Sequence, residues 1–232
     1  MSGRIFLIPV TLGGDDFLKV IPEKVVTLTR ELRYFIVEDI RSARRYLRHI
    51  DKEFPIDETI FFVLNEHTIG SEIESYLEPA IKGIDIGVMS EAGLPCIADP
   101  GAKIVALAHR KNITVMPLSG PSSIILALIS SGFNGQNFSF NGYLPVKPAE
   151  RIAKLRELEK KSKEGYTQIF METPYRNQKM FESIIATCNQ DMNLCIAADI
   201  TLPSESIKTK KISDWKRNIP LLDDKMVIFI LQ

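Results

Sequence analysis

Three carboxylates stand where a sheet would present them to a ligand. Glu38 and Asp39 follow the strand-like run 34–37, and Glu172 ends the run 167–172. A carboxylate at a strand end lies within hydrogen-bond reach of a substrate lodged at the sheet edge and can accept a hydroxyl proton there. Asp39 also has a local use, because it precedes a helical pattern and its oxygen can cap the first turn. Around these acids lie four loops of small residues, each after a predicted strand. They are Val10-Thr11-Leu12-Gly13-Gly14 after 4–9, Ser90-Glu91-Ala92-Gly93-Leu94-Pro95 with Ala98-Asp99-Pro100-Gly101 after 84–89, Leu118-Ser119-Gly120-Pro121-Ser122-Ser123 after 113–117, and Thr173-Pro174-Tyr175-Arg176 after 167–172. Small residues let a ligand approach the backbone closely. Taken singly, each loop could be plain turn chemistry; their shared placement after strands points to a ligand, since parallel sheets bind at the carboxyl ends of their strands. The loops contain neither G-x-x-x-x-G-K-[ST] nor G-x-G-x-x-G, so triphosphate transfer and dinucleotide binding lose ground.

Cations are grouped as well. Within 40–50, Ile40, Ala43, Leu47 and Ile50 share one helical face and Arg41, Arg44, Arg45 and Arg48 share the opposite one. The guanidinium groups could follow RNA phosphates, or form a solvated face paired with acids such as Glu53. Arg176 could anchor a substrate or cap its helix. Lys208, Lys210 and Lys211 suit protection of an edge strand. Cys96, Cys188 and Cys195 form no C-x-x-C pair, and His49, His67 and His109 are scattered, so buried thiols and no metal site are expected.

The elements that must hold these loops alternate between strand and helix: strands at 4–9, 34–37, 59–64, 84–89 and 113–117, with helices at 40–50 and 103–110. This is a βαβ rhythm that implies a largely parallel sheet. From about 118 a second unit follows, with helix 122–131, strand 138–142, an extended link 143–150, helix 151–163, strand 167–172, helix 175–188, strand 193–199 and late strands at 206–215 and 225–231. The expected architecture is two α/β domains, 1–118 and 119–232, the first parallel-rich and the second mixed. A chain of 232 residues buries roughly 70–75% of its unfolded surface, so its core needs no disulfide or metal staple. Its 29 basic and 29 acidic side chains balance, which confines any nucleic-acid contact to a local patch. The apolar runs 5–10 and 124–129 are too short for a signal peptide or a membrane span, so a soluble, cytoplasmic chain is expected.

The motifs, in order, resemble those of the tetrapyrrole methylase superfamily: R-I-F-L-I-P-V-T-L-G at 4–13, Glu38-Asp39-Ile40-Arg41, Glu66-His67, Ser90 to Pro95, Asp99-Pro100-Gly101, Gly120-Pro121-Ser122 and Glu172-Thr173-Pro174-Tyr175-Arg176. The set is most similar to the ribosomal RNA small-subunit methyltransferase I branch, over nearly the whole chain, densely from 84 to 123 and weakly after 200. The chain departs from the pattern at Gly14, where the family has Asn, at Ile40 for Thr, at Glu91 and Leu94 for Asp and Thr, and at Tyr175 for His. Cofactor binding by backbone groups should survive these changes; they bear on the identity of the acceptor.

The resemblance implies S-adenosylmethionine held in a cleft between the domains, a homodimer, and ribosomal RNA or the small ribosomal subunit as partner. The cofactor-binding residues expected on this basis are Pro9, Leu12, Gly13, Ser90, Glu91, Ala92, Gly93, Leu94, Ile97, Ser122, Ser123 and Met171. Apolar walls would come from Leu12, Leu94, Ile97 and Met171, hydroxyls from the serines, and a carboxylate near the sulfonium from Glu91. Catalytic roles fall to Glu38, Arg41 and Glu172, and substrate binding to Arg41, Arg44 and Arg176. The implied reaction is methylation of a cytidine ribose 2'-hydroxyl; the alternatives are C-methylation of a porphyrin or corrin, or a non-catalytic module of the same fold.

Overall fold

The computed structural model describes residues 2–65, 67–68 and 70–232, with the side chains of Gly70 and Ser71 outside the description; Glu66 of the Glu66-His67 motif thus lies outside the described residues. The chain divides into two units, Met1–Ser122 and Ser123–Gln232.

The first unit runs β1 (Arg4–Leu7), α1 (Glu23–Glu31), β2 (Tyr34–Val37), α2 (Ile40–Ile50), β3 (Ile60–Val63), α3 (Gly70–Ser75), α4 (Glu78–Ile81), β4 (Ile86–Met89), α5 (Ala102–Arg110) and β5 (Thr114–Pro117). Its sheet has the order β3-β2-β4-β1-β5 with every pairing parallel. Strands buried on both faces need apolar residues at successive positions, and Phe35-Ile36-Val37 and Ile86 to Met89 supply them. Phe6 and Ile8 of the first strand segment pack with Val25 and Val26 of α1 and Leu47 of α2, while Ile5 packs with Leu77, Ile104 and Leu107 on the other face. So α1 and α2 cover one side of the sheet and the α3–α5 segment the other.

The second unit runs α6 (Ser123–Ser131), β6 (Phe138–Tyr143), α7 (Pro148–Lys163), β7 (Thr167–Met171), α8 (Asn177–Thr187), β8 (Asn193–Ala198), β9 (Ser206–Lys211), α9 (Ile212–Arg217) and β10 (Val227–Leu231). The sheet order is β6-β7-β10-β8-β9, mixed, with only β6 and β7 parallel. Phe170, Phe181, Trp215 and Phe229 fill its core.

Three expectations are corrected here. The run 206–215 is a strand only to Lys211; Ile212 and Trp215, three residues apart, turn one helical face inward and are both buried, and Trp215 Nε1 donates to Leu194 O at 2.9 Å. The link 143–150 ends early because Pro148 occupies the first turn of α7, where its missing N–H costs nothing. The helix expected from 175 begins with a 3-10 turn, Pro174–Arg176, and becomes α-helical at Asn177. Among the described residues, no helix is long and apolar enough to cross a membrane.

Candidate active site

In the first unit β1 leaves toward α1 on one face and β4 leaves toward α5 on the other, although the two strands are neighbours. That divergence makes a topological switch point, where the carboxyl ends of a parallel sheet open a crevice. The loops on either side of it are laced together: Val10 N donates to Gly93 O at 2.9 Å and Gly93 N donates to Thr11 O at 3.4 Å. Gly93 has φ +70°, and a Cβ there would stand 3.0 Å from Leu12 Cδ2 and 3.3 Å from Pro121 O. Gly120 allows a second close approach, since a Cβ would come within 2.1 Å of Pro9 Cβ. The loops after β1, β4 and β5 therefore meet, bringing together Pro9, Leu12, Gly13, Ser90, Glu91, Ala92, Gly93, Leu94 and the turn that ends in Ser122. Backbone groups line this meeting point, Ser90 Oγ donates to Ala92 O at 3.2 Å, and Ile97 keeps 43% of its surface exposed. A cradle that a Cβ would fill, flanked by apolar side chains and one exposed carboxylate at Glu91, fits a nucleoside ligand bearing a cation.

The acids sort by environment. Glu38 is half-buried, and its Oε2 accepts the Glu91 N–H at 3.2 Å. Burial raises its proton affinity above that of an ordinary glutamate, the charges of Asp99 and Glu91 push the same way, and the Glu91 N–H opposes them. Asp39 accepts the Ser42 N–H at 2.7 Å as the cap of α2, which holds its carboxyl below the usual range. Of the two uses open to Asp39, the structure shows the cap. Ser42 Oγ in turn donates to Glu91 Oε1 at 3.5 Å. The Tyr46 hydroxyl donates to Pro9 O at 3.2 Å, and burial keeps that phenol protonated.

Asp99 uses Oδ1 to accept the Gly101 N–H at 2.7 Å, while its Oδ2 is buried without a hydrogen-bond partner among the described residues. The neighbouring Cys96 thiol is pushed up to about 12, first by burial and then by Asp99, which keeps it a thiol rather than a nucleophile. Among the described residues no group of three or more His, Cys, Asp or Glu side chains is arranged to hold a metal ion.

In the second unit Met171 ends β7, half-buried, and Ser123 opens α6. Glu172, with 1% of its side chain exposed, is ion-paired to Arg176 at 2.6 Å. Its Oε1 also accepts Arg176 Nε at 3.0 Å and the Thr173 N–H at 2.7 Å. The pair closes the turn between β7 and α8. Arg176 lies 5.6 Å from the Tyr175 ring, and Tyr175 is 71% exposed. At the same sheet edge Asp199, in a left-handed conformation at φ +53°, pairs with Lys225 at 2.7 Å and accepts from Ser204 at 2.9 Å. Sequence reasoning missed this group and Tyr46; the one available signal was the position of Asp199 at the end of the predicted strand 193–199.

A parallel sheet whose switch point gathers three loops, followed by a mixed-sheet unit, is the architecture of a known class of methyltransferase. The crystal structure of the methyltransferase CobJ shares this fold, with a TM-score of 0.65 over 99% of this chain and 94% of that one, at 16% identity. The model of the Tetrapyrrole (Corrin/Porphyrin) Methylases matches residues 22–215, and the chain belongs to that family. Curated relatives carry the name ribosomal RNA small subunit methyltransferase I. That of Streptococcus pyogenes serotype M3 is 30% identical over 92% of this chain and 70% of its own length. Those of Vibrio cholerae and Escherichia coli O157:H7 are 28% and 29% identical, over 90% and 89% of this chain and 69% and 68% of their lengths. The protein is a methyltransferase.

Proposed function

We propose that this methyltransferase uses S-adenosylmethionine to methylate the ribose 2'-hydroxyl of a cytidine in small-subunit ribosomal RNA, in the cytoplasm, as a homodimer. The observation that carries the cofactor reading is the Val10–Gly93 lacing of two loops, joined by a third through the close approaches of Gly93 to Pro121 and Gly120 to Pro9 at one switch point. The acceptor reading rests on the names of the relatives. When bound, the cofactor supplies a methyl group made electrophilic by the sulfonium.

The chain's own residues hold the reactants and manage a proton. Backbone groups of 10–13 and 90–93 receive the polar parts of the ligand, Leu12, Leu94 and Ile97 offer apolar walls, and Ser90 and Ser122 offer hydroxyls. Glu91, exposed in the same loop, would supply the carboxylate that balances the cofactor's positive charge. Because in-line transfer needs little covalent help, orientation of the acceptor dominates the rate. Glu38 takes the proton from the 2'-oxygen; burial raises its proton affinity above that of an ordinary glutamate, which makes it the stronger base. Arg41 stands three residues beyond it to hold the nucleotide, with Arg44 as a further substrate contact. Glu172, locked to Arg176, sets that arginine's direction.

The test is in two parts. Calorimetry with S-adenosylmethionine and its demethylated product should show binding of both. Incubation of unmethylated small subunits with the protein and labelled cofactor, followed by nucleoside mass spectrometry, should yield 2'-O-methylcytidine. Transfer to a porphyrinogen in place of RNA would replace the acceptor reading with the tetrapyrrole one.

A further inference from the structure

Helix α2 carries Arg41, Arg44, Arg45 and Arg48 on its exposed side and no acidic residue anywhere in Ile40–Ile50. Among the described residues none of the four is ion-paired. Glu53, the acid that could have neutralised them, forms no ion pair with any of the four among the described residues. Helix α7 shows what an ordinary solvated charged face looks like in this protein: Lys154 and Lys161 pair with Glu157 at 3.0 and 2.6 Å, and Lys163 pairs with Glu159 at 2.6 Å.

Two features argue against a purely structural arginine face. Arg41 lies in the first turn of α2, where a cation opposes the helix dipole and gains no stability from it. The residues 1–122 carry 14 Lys and Arg against 17 Asp and Glu, so these four charges are concentrated on a unit that is otherwise acidic. The chemistry of the face is also selective. All four cations are guanidinium groups, whose planar donor forks match phosphate oxygens, and Arg44 lies 5.6 Å from the ring of Phe61 on the edge strand β3. Because α2 begins directly after Glu38 and Asp39, the row starts at the proposed acceptor position and runs about 10 Å away from it along the helix.

We propose that the arginine face of α2 is a docking surface for the phosphodiester backbone of one RNA strand, gripping nucleotides that flank the acceptor. This rests on the reading that the acceptor is RNA and adds where the strand lies and how it is held. Each phosphate neutralised on a single strand releases counterions and contributes about 0.7 to the slope of log Kobs against log salt.

The experiment measures fluorescence anisotropy of a labelled oligocytidylate with the full chain between about 50 and 200 mM salt. The double variant R45Q/R48Q should bind several-fold more weakly, with the slope reduced by about 1.4, and its loss in methylation should fall on KM for RNA. R45K/R48K should restore the slope, and Arg156→Gln on α7 should leave it unchanged. Wild-type affinity and slope in R45Q/R48Q, with circular dichroism showing a folded chain, would overturn the surface even if the enzyme methylates RNA. Arginine-dependent binding without any methyl transfer to RNA would remove the acceptor reading and leave the surface standing.

Discussion

The backbone N–H of Glu91 donates to Glu38 Oε2 at 3.2 Å, so the acid that ends β2 is held by the loop that follows β4. The side chain of Glu91 is turned toward α2, where Ser42 Oγ meets it at 3.5 Å. One residue thus ties the loop proposed to receive the cofactor to the proposed base through its main chain and to α2 through its carboxylate.

Glu38→Gln should lower kcat by about 10²–10⁴-fold with little change in the affinity for S-adenosylmethionine, as expected for loss of a general base. Single-turnover methylation beside calorimetry separates the two. An unchanged kcat would take the proton-accepting role away from Glu38.

The acid limb of the wild-type pH–rate profile should lie above that of an ordinary glutamate, because burial and the charges of Asp99 and Glu91 raise the Glu38 pKa. Asp99→Asn removes one of those charges and should move the limb to lower pH. The same shift has a stability side: a carboxyl whose folded pKa is raised favours the folded state below its unfolded pKa, and that contribution is lost as pH rises through the folded value. Urea titrations of Glu38→Gln against wild type should therefore show the variant gaining relative stability as pH rises through that window.

Asp39→Ala should destabilise α2 while sparing catalysis. The cap lowers the Asp39 pKa chiefly through the Ser42 N–H, so its stabilisation is present above the unfolded pKa and fades as pH falls through the depressed folded value. The stability gap between wild type and variant, measured by chemical denaturation, should close on acidification.

Gly93→Ala should weaken S-adenosylmethionine binding by at least tenfold. Its φ of +70° costs an L-residue roughly 1–2 kcal/mol, and the new methyl would stand 3.0 Å from Leu12 Cδ2. Isothermal calorimetry on a variant with wild-type circular dichroism is the check.

Arg176→Met should destabilise the chain by about 3 kcal/mol, because it strands the Glu172 carboxylate, 1% exposed, without its partner. The figure sits at the low end of the usual range because Arg176 keeps 23% of its side chain in solvent. The paired change Glu172→Gln/Arg176→Met should recover much of that loss in a urea melt.

Where local pattern and tertiary burial agreed, the fold was legible in the sequence. Strand 34–37 and helix 40–50 have the boundaries their periodicities imply, and all four small-residue loops follow strands. Helix Glu23–Glu31 was illegible because Val25, Val26, Thr27 and Thr29 are β-branched and locally disfavour a helix. Burial of Val25, Val26 and Thr29 on one side decides it, and Thr29 returns its hydroxyl to Val25 O at 2.7 Å. The site was legible as a set of loops but not as a network. Spacing along the chain carries no sign that Tyr46 reaches Pro9 or that Glu91 N–H serves Glu38, since those bonds cross 37 and 53 residues.

The lacing of Val10 to Gly93 divides the rim of this site into two kinds of material. One part is made of main-chain atoms and absent side chains, and tolerates almost no rewriting, because each replacement intrudes on a neighbouring loop. The other, the outward side of α2, is made of arginine side chains that no carboxylate neutralises among the described residues, although Arg44 lies over Phe61 and Arg48 donates to Lys52 O. If the proposed reading holds, variation that retunes the choice of methyl acceptor should accumulate on that helix, while the gathered loops change little.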